Sequence, residues 1–226
     1  MEEHRNIAID GPAGAGKSTV AKAIARELGM QYLDTGAMYR ALALYAVRQG
    51  VDPSDEKKVE AILPGGDVRV RFTQMGQRVL IGEEDVSDLI RTQEISMGAS
   101  LISAHPCVRD RMAAMQRQVG REYDVVMDGR DITTNVLPDT PYKFFVTASP
   151  EERARRRCLE LKNRGDCAAD YAQVLSEINR RDQQDSTRAY MPLRVAQDAV
   201  VIDTTGLEVE EVVEQMLNII RKKATR

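Results

Sequence analysis

A glycine, four residues, then Gly16, Lys17 and Ser18 constrain this chain more than any other feature. The full stretch is Gly11, Pro12, Ala13, Gly14, Ala15, Gly16, Lys17, Ser18 and Thr19, and background residue frequencies give such spacing by accident in about one chain per hundred. The flanks agree with it. Ile7, Ala8 and Ile9 before the loop are apolar and β-compatible, while Val20, Ala21, Ile24, Ala25 and Leu28 after it fall on one helical face, so the loop joins a strand to a helix. The spacing predicts a cradle for the phosphates of a nucleoside triphosphate. Crowded phosphate oxygens need many donors in a small volume, and glycines let backbone N–H groups converge on them at a helix N-terminus that already favours anions. Lys17 is placed to neutralise β and γ oxygens, and the Ser18 hydroxyl to ligate Mg²⁺.

With 226 residues and 42% hydrophobic content, the chain is long enough for one large α/β domain with insertions. Thirty-two Lys and Arg against 35 Asp and Glu leave a formal charge of −3, which gives no electrostatic case for nucleic acid or an anionic membrane as partner. No run of eighteen apolar residues occurs and Met1 to Asn6 is polar, so we expect neither export nor anchoring, and a cytoplasmic protein. Cys107, Cys158 and Cys167 are odd in number and irregularly spaced, which argues for structural thiols in a reducing compartment. Nothing in the sequence demands a partner, so a monomer is expected.

Apolar runs at Ile7 to Ile9, Tyr32-Leu33, Val125 to Met127, Lys143 to Val146 and Ala199 to Ile202 read as short strands buried on both faces, separated by helical patterns. The last helix carries the stripe Val209, Val212, Val213, Met216, Leu217 and Ile220. Another begins at Ser149-Pro150-Glu151-Glu152, which reads as a capping box. One stretch breaks the rhythm. After Pro64-Gly65-Gly66, the residues Val68, Val70 and Phe72 alternate with charged ones, followed by a polar turn at Thr73 to Gln77 and by Val79-Leu80-Ile81. This predicts a small antiparallel sheet inside an insertion at about 64–100, on the side where a second substrate would sit.

A GTP-dependent switch would carry an Asn-Lys-x-Asp guanine reader, and this chain has none. Instead it resembles the bacterial-type cytidylate kinases among the nucleoside monophosphate kinases. The resemblance rests on Ile9 to Thr19, Leu33-Asp34-Thr35-Gly36-Ala37-Met38-Tyr39-Arg40, Ile90 to Glu94, Asp128-Gly129-Arg130-Asp131, Glu152 to Ala154 with Arg156, and Arg181-Asp182 through Asp185 and Arg188. It implies an α/β P-loop NTPase fold over residues 1–226, with a parallel sheet flanked by helices, an antiparallel monophosphate-binding insertion and a helical lid at 150–190. It also implies ATP-dependent phosphorylation of CMP and dCMP.

The residue chemistry can be read beside that resemblance. Cytosine offers an amino donor next to two acceptors, a pattern that Asp131 and Arg109 match. Asp131 and Thr35 each follow a predicted strand's C-terminal end, where ligands of open α/β sheets gather. Arg109 lies in the first turn of a predicted helix with the stripe Val108, Met112, Met115 and Val119, where a cation opposes the helix dipole. Arg40, Arg130 and Arg181 are candidates for the monophosphate's phosphate and ribose, since guanidinium forks match phosphate oxygens. Asp185 is a candidate acceptor for ribose hydroxyls, and by resemblance Arg188 lies near the reacting phosphates. Arg153, Arg155, Arg156, Arg157 and Arg164 form a basic cluster between core strands, with Arg157 a catalytic candidate. Asp10, Asp34 and Asp128 all end strands near the loop, and any of them is placed to orient Mg²⁺. The alternatives are a P-loop kinase of another small acceptor, such as shikimate, gluconate or a different nucleotide, and a nucleotide-gated regulator.

Overall fold

The computed structural model describes residues 4–163 and 170–224. Arg164 and Cys167 lie outside the described residues. In chain order the elements are β1 (Asn6–Asp10), α1 (Lys17–Leu28), β2 (Gln31–Asp34), α2 (Thr35–Arg48), α3 (Glu56–Ile62), β3 (Val68–Thr73), β4 (Gly76–Ile81), β5 (Glu84–Asp85), α4 (Gln93–Ile102), α5 (Pro106–Glu122), β6 (Val125–Gly129), β7 (Tyr142–Thr147), α6 (Pro150–Asn163), α7 (Tyr171–Thr187), β8 (Val200–Asp203) and α8 (Val209–Ala224). They divide into two compact units, one of residues 31–125 with residue 4, the other of residues 5–30 with 126–224.

In the second unit the strands of the larger sheet run in the order β6-β1-β7-β8. β1 runs parallel to β7, from Ile7 opposite Tyr142 to Asp10 opposite Phe145, and β7 runs parallel to β8, from Phe144 opposite Val200 to Thr147 opposite Asp203. Strands covered on both faces are apolar throughout, and Ile7, Ala8, Ile9, Phe144 and Val146 have no solvent exposure. The expectation of two buried faces fails for β8. It ends the strand order, and Val201 is 52% exposed while Ile202 is buried. Helix α8 packs on α1 and buries Val212, Met216, Leu217 and Ile220, but Val209 of the expected stripe is exposed at the first turn.

The predicted capping box of α6 is half formed. Ser149 Oγ accepts from the Glu152 N–H at 3.2 Å, but the Glu152 carboxylate turns to Arg155 and Arg156, and the Ser149 N–H donates to Thr205 Oγ1. Two guanidinium partners compete better for that carboxylate than one amide does.

In the first unit, β3, β4 and β5 form the expected antiparallel sheet. Its register runs from Val68 opposite Ile81 to Thr73 opposite Gly76, so the turn is tighter than predicted. Only Gln74 and Met75 lie outside the strands; Thr73, Gly76 and Gln77 are paired. On β3 burial alternates as a half-covered sheet requires, with Val68 buried and Arg69 and Arg71 outward, whereas on β4 the adjacent Val79 and Leu80 are both buried. On α5 the buried face is rotated from the expected one. Val108 and Met112 are inside, but Arg109, Ala113, Gln116 and Gly120 complete the face, while Met115 and Val119 are only half-buried.

Candidate active site

The phosphate-binding loop springs from the C-terminal end of β1. Gly11 has φ 148°, and a Cβ there would lie 1.9 Å from the Val146 carbonyl oxygen of β7. Only glycine lets loop and strand come this close. Gly16, at φ 85°, then turns the chain into α1. The Lys17 ammonium is buried and donates to the Pro12 carbonyl at 2.6 Å, folding back over the loop. Burial, with the Arg130 and Arg181 charges nearby, lowers its pKa to about 7 against the opposing pull of Asp128 and Asp10. A polyanion among these groups would favour the charged form. Ser18 Oγ donates to Asp128 Oδ2 at 2.8 Å, joining the start of α1 to β6.

Of the three carboxylates left open by the sequence, Asp128 is the one that accepts from the Ser18 hydroxyl. Asp10 instead accepts from the Ile132 N–H, the Thr133 N–H and the Thr133 hydroxyl at 2.9, 2.7 and 2.6 Å. Burial raises its pKa to about 6 in spite of these bonds. It anchors the segment that follows β6. That segment carries Arg130 and Asp131 and closes in one wide turn, Ile132–Val136, where the Leu137 N–H reaches back to the Ile132 carbonyl.

Asp131 is buried, and its Oδ2 accepts from Asn135 Nδ2 at 3.2 Å. Arg130 Nε donates to Asp185 Oδ2 at 2.9 Å, and Arg188 Nη1 lies 3.4 Å from Asp185 Oδ1. Burial alone would raise the Asp185 pKa, but Arg130, Arg181 and Arg188 hold its carboxyl below the usual range. The expected residues Arg130, Arg181, Asp185 and Arg188 are therefore electrostatic neighbours within the second unit.

The basic cluster on α6 separates into unlike members. Arg153 is 3% exposed, and each of its nitrogens is engaged: Nε with the Ala148 carbonyl at 2.9 Å, Nη1 with the Ala13 carbonyl at 3.2 Å, and Nη2 with Asp182 Oδ2 at 2.6 Å. Arg153 and Arg157, one turn apart on α6, have different partners. Arg153 ties the phosphate loop to α7, whereas Arg157 pairs with Glu160 on a half-exposed surface. Arg156 donates to the hydroxyl and the carbonyl of Thr204 at 3.0 and 2.7 Å, and Thr204 Oγ1 donates in turn to the Ala15 carbonyl at 3.2 Å.

In the first unit Thr35 is buried at the start of α2. Asp34 caps that helix, accepting from the Ala37 N–H at 2.9 Å, and its other oxygen takes Arg40 Nη2 at 2.7 Å. Gln77 of β4 clasps the same residue from the side: its Oε1 accepts from the Asp34 N–H at 2.6 Å and its Nε2 donates to the Asp34 carbonyl at 3.2 Å. Arg109 is among the largest fully buried side chains. Its Nη1 donates to the Ser103 carbonyl at 3.1 Å, and its guanidinium carbon stands 5.8 Å from the Tyr39 ring centroid, a cation–π distance. It is not a solvated surface arginine.

Sequence reasoning missed the parts played by Gln77, Asn135 and Arg153. Glutamine and asparagine in polar stretches carry no local signal, and Arg153 looks like its neighbours in a charged run. The Ser18 and Asp128 pair fits Mg²⁺ by donor chemistry, since that ion takes hard oxygens and is held by one or two protein groups with water and substrate phosphates filling the rest.

The sequence model of the cytidylate kinase family matches residues 7–222. A cytidylate kinase of Caldicellulosiruptor bescii is 49% identical over 217 residues, covering 96% of each chain. One from Caldanaerobacter subterraneus subsp. tengcongensis is 50% identical over 216 residues, covering 96% of this chain and 94% of its own. Among solved structures, an uncharacterised protein of Eubacterium ventriosum is similar in fold at TM-score 0.52 and 12% identity, with 96% of this chain and 99% of that one covered. On a match that takes in the phosphate loop, the segment after β6 and the arginines of α6 and α7, this chain belongs to the cytidylate kinase family.

Proposed function

We propose that the protein transfers the γ-phosphoryl group of ATP to CMP and dCMP, giving ADP and the cytidine diphosphates. The observation that carries this reading is identity near one half to cytidylate kinases along almost the whole chain. The residues supply a matching chemistry. The loop Gly11–Thr19 holds the triphosphate through its N–H groups, and Lys17 neutralises its β and γ oxygens. Ser18 and Asp128 hold Mg²⁺. Bound there, that ion would supply charge neutralisation for the phosphate oxygens.

For the acceptor, Asp131 accepts from the cytosine amino group, while Arg109 and Thr35 complete the base contacts. Arg40, Arg130 and Arg181 meet the phosphate and ribose, and Asp185 accepts from ribose hydroxyls. Residues 64–100 act as the monophosphate-binding insertion, and the described parts of 150–190 as a lid whose Arg157 and Arg188 stabilise charge on the moving phosphoryl group. No general base is required. The second ionisation of a phosphate monoester lies near pH 6, so at neutral pH an acceptor oxygen is already deprotonated for in-line attack. Free Cys107 and Cys158 suit a reducing, cytoplasmic setting. Monomeric behaviour is checked by light scattering on a sizing column.

The test is ADP release with ATP, Mg²⁺ and a panel of CMP, dCMP, UMP, AMP, shikimate and gluconate. Turnover is expected to be fastest with the cytidine nucleotides, and Asp131→Ala or Arg109→Ala to erode that preference. Brisk use of an unrelated acceptor overturns the reading, and slow turnover with all of them leaves a nucleotide-gated regulator.

A further inference from the structure

A closed circuit of hydrogen bonds runs through the second unit. Asn135 Nδ2 contacts Asp131 Oδ2 at 3.2 Å and Met191 Sδ at 3.0 Å. The Met191 carbonyl accepts from Arg188 Nε at 2.6 Å, Arg188 Nη1 lies 3.4 Å from Asp185 Oδ1, and Asp185 Oδ2 accepts from Arg130 Nε at 2.9 Å. The peptide bond between Arg130 and Asp131 closes the ring. Met191 sits in it at φ 49°, the sole left-handed non-glycine among the described residues, a conformation that side chains resist and that persists where surrounding contacts impose it. The clamp of its carbonyl by Arg188 and of its sulfur by Asn135 is that imposition. A backbone bond, from the Leu193 N–H to the Asp185 carbonyl at 2.8 Å, fastens the same turn.

We infer that Asn135 is a positioning residue for cytosine selectivity, acting through Asp131 and joining the base reader to the phosphate-side groups Arg130, Asp185 and Arg188; the inference rests on the reading of this site as a CMP site. Two features single out asparagine. Carboxylate and thioether both act as acceptors here, so the group between them must offer two hydrogens, which an amide nitrogen does and a carboxylate or hydroxyl does not. Holding Oδ2 of Asp131 also fixes the plane of its carboxyl group, and with it the direction in which Oδ1 accepts. A reader with a fixed plane prefers an amino group over a carbonyl in that direction. One that rotates discriminates less.

The experiment measures kcat/KM for CMP and for UMP, and KM for ATP, in the wild type, Asn135→Ala, the isosteric Asn135→Asp, Asp131→Ala and the Asp131→Ala/Asn135→Ala double variant. Both single changes at Asn135 are expected to lower the CMP-to-UMP ratio about fivefold or more, the scale of one lost hydrogen bond, with KM for ATP changing less than twofold. On the Asp131→Ala background, Asn135→Ala is expected to add no further loss of the ratio, since the group it acts through is gone. An unchanged ratio in both Asn135 variants, or an equal loss with and without Asp131, overturns the inference. A wild type that does not turn over CMP overturns the proposed function itself, and this inference with it.

Discussion

Ser18 at the start of α1 and Asp128 on β6 stand 110 residues apart in the chain and share a 2.8 Å hydrogen bond from hydroxyl to carboxylate. Under the proposed function, two hard oxygen groups held this close would be the protein's share of a Mg²⁺ shell. Asp128→Asn is expected to raise the Mg²⁺ concentration for half-maximal turnover about tenfold, with KM for CMP little changed. Initial rates across a Mg²⁺ series decide it, and an unaltered Mg²⁺ dependence removes Asp128 from the ion's shell.

Lys17 reaches back to the Pro12 carbonyl in a buried position. In the proposed reaction its charge would act on the β and γ oxygens, which carry most of the charge that shifts during transfer. Lys17→Met is therefore expected to lower kcat by about a hundredfold or more, while CMP affinity, measured by titration calorimetry, stays within about threefold. Loss of CMP binding with turnover intact would reverse that assignment.

Arg153 serves three acceptors at once, the carbonyls of Ala148 and Ala13 and the carboxylate of Asp182. An ammonium has no planar fork and cannot reach all three. Arg153→Lys is expected to reduce unfolding free energy by about 2 kcal/mol through two lost hydrogen bonds. Urea unfolding reads it directly. A stability equal to wild type would place the guanidinium outside the folded framework.

Asp185 is nearly buried, yet Arg130, Arg181 and Arg188 hold its carboxyl below the ordinary range. The folded protein thus gives up this proton more readily than the unfolded chain does. The resulting stability is fully present above about pH 4, the ordinary aspartate value, and is lost as pH falls through the folded pKa. Asp185→Asn is expected to cost about 3 kcal/mol at pH 7, because it takes the shared carboxylate from the half-buried Arg130 and Arg188, and progressively less toward pH 3. Urea unfolding of both proteins across that range gives the difference; a gap independent of pH would rule out charge as its origin.

What the sequence revealed depended on how local each cause was. β1, the phosphate loop and α1 were legible because apolar periodicity and glycine spacing act within a few residues. The hairpin of β3 and β4 was legible for the same reason, though its turn was drawn too wide: Thr73 and Gly76 form a pair that only cross-strand register defines. β8 looked like its sister strands in composition, and its exposure follows from strand order, which no single segment encodes. Arg153 and Arg157 were indistinguishable on one helix. Their difference lies in Ala13 and Asp182, residues far away in the chain. Arg109 was expected from its chemistry, and its burial appears only once α5 is seen to turn that side inward.

The clasp that Gln77 makes on the backbone of Asp34 bears on attempts to redesign the enzyme by exchanging parts. The three-stranded sheet looks like a cassette that can be cut out and replaced by another's. One of its side chains nevertheless completes the cap at the head of α2, where Asp34 also aims Arg40. A transplanted sheet lacking glutamine at that register would slacken the hold on Asp34 and, through it, on Arg40, so a graft must carry its own equivalent of Gln77 or rebuild the head of α2 with it.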